Sequence, residues 1–239
     1  MSVLTLVRHS QASFFTDDYD RLSPQGMAQA RQLGDYWSLQ GEAFGEVYVG
    51  PRRRQQQTAE LAAAQYHQAG LSWPEPVVIP ELDEYDIAGL IDRVAPALAR
   101  QDDAFAELVG AYRGSAGERE RGVRFQRMFE VLLTHWQTEP PDAEAVESWP
   151  AFRERVRGAL QRITDRPERG RRVAAFTSGG VIGTAVGLVL DAPDRIALEL
   201  NWRLRNCSLT RLLFTRDRLT LDEFNTVPHL RDPELWTYR

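Results

Sequence analysis

Val3-Leu4-Thr5-Leu6-Val7-Arg8-His9-Ser10 decides the reading of this chain. Its first five residues are almost continuously apolar and rich in strand formers. A strand buried on both faces reads this way, and such strands sit inside parallel sheets. The run stops at two cationic or titratable side chains, Arg8 and His9, with no turn residue between them and the strand. In an open α/β sheet, ligands collect at the carboxyl ends of the strands.

Outward from this strand, helical and strand patterns alternate. Leu22-Ser23-Pro24-Gln25-Gly26 offers Ser23 as an N-cap and Pro24 as a first helical residue. Ala30, Leu33, Tyr36 and Trp37 then recur at helical spacing, and Gly41 is a stop signal. Glu46-Val47-Tyr48-Val49 predicts a second strand. Gly50-Pro51 leads into a helix carrying Thr58, Leu61 and Ala62. Val77-Val78-Ile79, bracketed by Pro76 and Pro80, predicts a strand at a sheet margin. Arg172 to Thr177 is a buried-type strand that runs through Ser178-Gly179-Gly180 into an apolar helix ending near Leu190. Leu209–Phe214 and Leu219–Phe224 predict two closing strands with a tight turn at Arg216-Asp217. The expected fold is α/β: a doubly wound, mostly parallel sheet with helices on both faces.

Between Glu84 and Trp149 the strand signals vanish. Phe125, Phe129, Leu132, Leu133 and Trp136 mark one helical face, and Ile91, Val94 and Leu98 another, with Gly114-Ser115-Ala116-Gly117 between them. Pro140-Pro141 ends the segment, and Ser148 to Ile163 returns to a core helix. Residues 1–239 are thus expected to form one catalytic domain with a helical insertion at about 88–146.

Composition narrows the chemistry. The chain has 239 residues, 43% hydrophobic and 26% charged, with a net charge of -5. That balance gives no broad basic field for nucleic acid. One cysteine, Cys207, excludes an intramolecular disulfide and a multi-cysteine metal site. All 29 basic residues are arginine. A phosphate loop built on lysine and a lysine Schiff base are therefore excluded, and any anion site must use arginine or backbone amides. Met1–Arg8 lacks a basic n-region, and the apolar run Val181–Leu190 is too short to span a bilayer. A cytoplasmic protein without a membrane partner is expected.

Four strand ends carry reactive groups: Arg8-His9, Arg52-Arg53-Arg54, Ser178-Gly179-Gly180, and the acidic Glu81-Leu82-Asp83-Glu84. Two arginine clusters and a glycine-rich helix start describe an anion pocket. A histidine within it describes a nucleophile or acid–base group.

These residues also carry a family resemblance. Leu6-Val7-Arg8-His9 resembles the Leu-x-Arg-His-Gly signature of the histidine phosphatase (phosphoglycerate mutase-like) superfamily. Leu22–Gly26 with Gln29-Ala30 resembles its next segment. Pro51–Ala59, with Arg54, Gln57, Thr58 and Ala59, is similar to its Ser-Pro-x-x-Arg-Ala-x-Gln-Thr-Ala segment. Leu82-Asp83-Glu84 resembles its Leu-x-Glu motif. Asn206–Thr210 and Phe224-Asn225 with His229-Leu230 resemble its late strands.

The resemblance implies His9 as nucleophile, forming a phosphohistidine, and Glu84 as the acid and then the base. It implies Arg8 and Arg54 as phosphoryl ligands, joined by Ser10, Ser178 and Gly179. No metal and no cofactor are implied, and the partner is a small phosphorylated metabolite. Two departures stand out. Ser10 replaces the glycine after the nucleophile, and Ser178-Gly179 replaces a His-Gly pair. The resemblance is thus to a subgroup with serine at the second histidine. Losing one preorganised donor of this kind costs about 10²–10³ in rate. A phosphatase, a phosphoglycerate-type phosphomutase and a non-catalytic phosphate-ester-binding module all fit the residues. His229 is expected to make a structural hydrogen bond, Cys207 to be a buried strand residue, and His67 and His135 to lie on helix surfaces. The residues leave substrate and oligomeric state open.

Overall fold

The computed structural model describes residues 1–13, 20–139, 146–166, 168–216 and 218–238. The segment joining the closing strands at Asp217 and the Pro140-Pro141 stop lie outside the described residues. The chain divides into two compact units, Met1–Glu84 with Arg155–Arg239, and Tyr85–Glu154. The sequence expectation set the insertion at about 88–146.

In the first unit β1 (Ser2–Arg8), β2 (Glu46–Val49), β3 (Val77–Val78), β4 (Arg172–Thr177), β5 (Leu209–Thr215) and β6 (Arg218–Thr226) form one sheet in the order β3-β2-β4-β1-β5-β6. The pairs β1–β4, β2–β4 and β2–β3 are parallel; β1–β5 and β5–β6 are antiparallel. β1 is an inner strand, as its apolar run requires. β3 is an edge strand of two residues, where flanking prolines remove no ladder bonds.

Helix α1 (Pro24–Leu39) starts on the Ser23 hydroxyl, which accepts from the Gly26 N–H at 3.0 Å. Its buried positions Ala30, Leu33 and Trp37 repeat at helical spacing. Helix α2 (Arg53–Gln68) packs directly on it. The two backbones meet at Gly34, where a Cβ would lie 2.4 Å from the Ala62 carbonyl oxygen. Beneath them, Trp37, Tyr66 and Phe176 join Val7, Val49 and Leu209 in one core layer on this face of the sheet. Each such large side chain contributes roughly 1.5–3 kcal/mol by leaving water. On the other side of the order, α8 (Gly179–Val189) touches β1 and β6 and packs against α9 (Asp194–Arg203). Gly183 permits that contact, since a Cβ there would fall 2.4 Å from the Ala197 carbonyl oxygen.

The second unit is helical among its described residues. It holds α3 (Ile87–Gly89), a π-helical turn (Leu90–Val94), α4 (Ala95–Gln101), α5 (Asp103–Arg113), α6 (Glu118–Thr138) and the start of α7 (Trp149–Thr164). The sequence reading expected two helices before Pro140. Helix α5 is additional: Asp102 caps it by accepting from the Phe105 N–H at 3.0 Å. The α6 stripe is packing, with Phe129, Leu132, Leu133 and Trp136 buried and Trp136 meeting Trp149 edge-on at 5.4 Å. No helix among the described residues is long and apolar enough to cross a membrane.

Candidate active site

All seven residues expected at the site fall in the first unit. They come from the carboxyl ends of β1 and β4, the first turn of α2, the segment after β3 and the start of α8. β1 and β4 are in register up to Arg8 opposite Thr177. The His9 N–H then donates to the Thr177 carbonyl at 2.8 Å. His9 and Ser178 are therefore neighbours at the edge of the sheet.

His9 is buried, and its hydrogen bonds fix its tautomer. Nδ1 lies 2.8 Å from the Ser10 carbonyl, which can only accept. Nε2 receives the Arg54 Nε–H at 3.2 Å, and a guanidinium can only donate. One neutral form satisfies both contacts: the proton on Nδ1 and a lone pair on Nε2. Burial, then the charges of Arg54 and Arg8, hold the imidazole pKa well below its ordinary 6.5. The ring is therefore uncharged and nucleophilic at neutral pH.

Arg54 is almost wholly buried, and Asp20 aims it. Asp20 Oδ1 takes the Arg54 Nη1 contact at 2.7 Å, and Oδ2 accepts the Arg53 N–H at 2.9 Å. The carboxylate thus ties the loop before α1 to the first turn of α2 and turns the Arg54 Nε toward His9. Sequence reasoning missed Asp20, because it sits in a polar loop where acids are commonplace. Arg8, at the end of β1, bonds the Leu204 carbonyl through Nη1. A Cβ at Gly179 would come 3.5 Å from Arg8 Nε and 2.3 Å from Asn201 Oδ1. Glycine there lets the start of α8 approach the arginine.

The loop after His9 is tied down by side chains from the helices. The Ser10 N–H donates to Thr58 Oγ1 at 3.0 Å, and the Gln11 N–H to Gln29 Oε1 at 2.9 Å. Gly26 brings α1 against this loop, since a Cβ there would overlap the Gln11 carbonyl at 2.0 Å. The Ser10 hydroxyl is buried, interacts with the Cys207 thiol and makes no hydrogen bond of normal geometry among the described residues.

Glu84 is separated from its acidic neighbours by what each one bonds. Asp83 pairs with Arg52 at 2.5 Å, Glu81 with Arg162 at 3.1 Å, and Asp86 accepts the Gly89 N–H. Glu84 is buried and accepts the Gly180 N–H at 3.1 Å in the first turn of α8. Arg52 is held by its acidic neighbours: although burial opposes it, Asp83, Asp20 and Glu84 raise its pKa further. Ser178 occupies the N-cap position of α8, yet its hydroxyl makes no capping bond. It accepts instead from Gln55 Nε2 at 2.8 Å.

Two expectations need correction. Cys207 is buried, but it lies in a turn before β5 with φ of 59°, not in a strand. That left-handed backbone turns its N–H onto the His9 carbonyl at 3.2 Å. Burial pushes its thiol pKa up to about 12. His229 makes no hydrogen bond of normal geometry through either ring nitrogen among the described residues, although it interacts with the Cys207 backbone. Asn206 also reaches the His9 carbonyl, at 3.4 Å, and is itself held by Thr237. No group of three or more metal-ligating side chains converges among the described residues.

A neutral histidine held against a buried arginine at the carboxyl edge of a mixed, mostly parallel sheet defines an α/β protein with an anion site at its strand ends. The chain belongs to the histidine phosphatase superfamily (branch 1), whose profile matches residues 4–124 and 97–227. Over 94 residues it is 34% identical to a 2,3-bisphosphoglycerate-dependent phosphoglycerate mutase of Bradyrhizobium diazoefficiens. That match covers 37% of this chain and 45% of the relative, so the chain spans less than half the length of this curated relative. Bacillus stearothermophilus YhfR has a similar structure, with a TM-score of 0.65, 18% identity and coverage of 97% of this chain and 100% of that one. So does a phosphoserine phosphatase of Entamoeba histolytica, solved with 3-phosphoglyceric acid, at a TM-score of 0.62, 18% identity and coverage of 96% and 100%. At such identities the likeness is one of fold.

Proposed function

We propose that the protein is a metal-independent phosphatase that hydrolyses a small phosphomonoester through a phosphohistidine on His9. One observation carries this reading: His9 is locked as the Nδ1–H tautomer, with the Nε2 lone pair held against Arg54. In the first step Nε2 attacks phosphorus and the ester P–O bond breaks. Glu84 gives the leaving oxygen its proton. In the second step Glu84 takes a proton from water, the water oxygen attacks phosphorus, and the P–N bond breaks to release inorganic phosphate.

Arg54 and Arg8 neutralise the charge on the equatorial oxygens, and arginine suits this task through its planar fork. The Gly179 N–H at the start of α8 supplies a further donor. We also read residues 1–239 as one catalytic domain of a cytoplasmic enzyme, with the helical segment at about 88–146 as its insertion.

The phosphoenzyme tests the reading. Mixing the protein with an aryl phosphate and quenching in denaturant should trap acid-labile, base-stable phosphate on the His9 peptide. Absence of such a label during turnover would sink it. The similarity to a phosphoglycerate mutase motivates a second reading, phosphoryl transfer between phosphoglycerates. Label passing from a bisphosphate to a monophosphoglycerate faster than to water would favour that one.

Arg54→Gln should lower kcat by about 10²–10³-fold, as loss of one preorganised donor does elsewhere. The same change removes a positive charge that depresses His9. The acid limb of kcat/KM should therefore move to higher pH. An unmoved limb would show that Arg54 does not act on His9.

A further inference from the structure

Gln55 is wholly buried in the first turn of α2, next in sequence to Arg54, and every polar atom of its side chain is used. Its amide nitrogen donates to Ser178 Oγ at 2.8 Å and to the Leu82 carbonyl at 3.2 Å. Its oxygen accepts the Arg52 N–H at 3.0 Å. The amide has one orientation, because turning it over would set its oxygen against the Leu82 carbonyl, which can only accept, and its nitrogen against the Arg52 N–H, which can only donate. Ser178 Oγ must therefore accept, and its own proton meets no acceptor among the described residues. Ser178 is itself fully buried, beside His9. A buried hydroxyl with an unused proton is costly unless a ligand takes it.

Gly50 belongs to the same arrangement. A Cβ there would come within 2.2 Å of Gln55 Oε1. The superfamily segment that this stretch resembles has serine and alanine where this chain has Gly50 and Gln55. These two departures and Ser178 are thus one connected unit: glycine makes the space, glutamine fills it, and its amide anchors the serine.

We propose that Gln55 is a positioning residue, which fixes the Ser178 hydroxyl as a neutral donor to the phosphoryl group on its way to and from His9. The assignment rests on the phosphatase reading above. The Gly50–Gln55–Ser178 unit then does with an uncharged hydrogen bond what the second histidine does elsewhere in the superfamily.

A double-mutant cycle tests it, read by orthovanadate affinity in calorimetry and by kcat on an aryl phosphate. Ser178→Ala should lower kcat by about 10²-fold and weaken vanadate similarly, while Ser178→Thr, which keeps a hydroxyl, should retain most of both. Gln55→Glu keeps the shape but turns the Ser178 proton toward the new carboxylate. It should match Ser178→Ala, and the double variant should be no worse than either single one. Gln55→Met, neutral and of similar size, replaces Gln55→Glu in the cycle if the carboxylate prevents folding. Additive losses, or a Ser178→Ala variant with wild-type kcat and vanadate affinity, would overturn the role of Gln55 while leaving the phosphohistidine reading standing. A wild-type protein that neither binds vanadate nor turns over would overturn both.

Discussion

His9→Asn is expected to lower kcat by about 10⁵-fold or more, the scale seen when a nucleophile is removed from a site whose parts act together. Asparagine is the informative replacement. Its Nδ2 stands where the imidazole Nδ1 stands, so the donation to the Ser10 carbonyl survives. What is lost is Nε2, the atom proposed to attack phosphorus. The fold loses little else: β1, the Thr177 bond to the His9 N–H and the bonds that Asn206 and Cys207 make to the His9 carbonyl all involve the backbone. Arg54 Nε loses its acceptor, which costs about 1–3 kcal/mol. The variant should therefore fold, bind vanadate more weakly and carry no acid-labile phosphate. Turnover within tenfold of the wild-type rate would remove His9 from the nucleophile's role and leave the arginines as a binding site only.

Those parts of the molecule whose signal is local were legible in the sequence. Val3–Val7, apolar and rich in strand formers, forms an inner strand because it can be buried on both faces, and Ser23-Pro24 starts a helix because the capping atoms are close in the chain. His9, Arg54, Ser178 and Glu84 were readable for another reason, since each sits at a strand end or helix start and an ordered set of motifs resembles a family. What was not legible depends on pairs far apart. Asp20 has meaning only because the fold sets its carboxylate on Arg54, 34 residues away. Gln55 looks like one glutamine in a run of three until it is seen to reach Ser178, 123 residues on. Helix α9 went unnoticed because its surface is mostly polar and its few buried positions, Ala197, Leu198 and Asn201, make a weak stripe. The left-handed Cys207 was invisible for the same kind of reason: its conformation is imposed by a bond to the His9 carbonyl, not by a glycine.

The stability of the protein should fall steeply as the pH drops below 6.5, and His229 accounts for much of the fall. Burial holds its pKa down at about 3, with the Cys207 backbone nearby pulling weakly the other way. The ring sits beside Tyr36, at 6.3 Å between centroids, and neither nitrogen makes a hydrogen bond of normal geometry among the described residues. A histidine depressed in the folded state stays neutral there while the unfolded chain takes up a proton. Its contribution is thus complete above pH 6.5 and is lost as the pH falls from 6.5 toward 3. At pH 4.5 the loss is about 3 kcal/mol, at roughly 1.4 kcal/mol per pH unit. His9, also depressed, adds to the same slope. Against a typical total of about 5–15 kcal/mol, this is a large share. His229→Leu isolates the effect by urea denaturation at pH 7, 6, 5 and 4.5. Near pH 7 the variant should be close to wild type, because an apolar side chain replaces two buried nitrogens that have no hydrogen bond of normal geometry among the described residues. Its advantage should then widen by about 1.4 kcal/mol for each unit of acidification. A gap that stays constant with pH would mean that His229 titrates in the folded protein as it does in water, and that the acid sensitivity arises elsewhere.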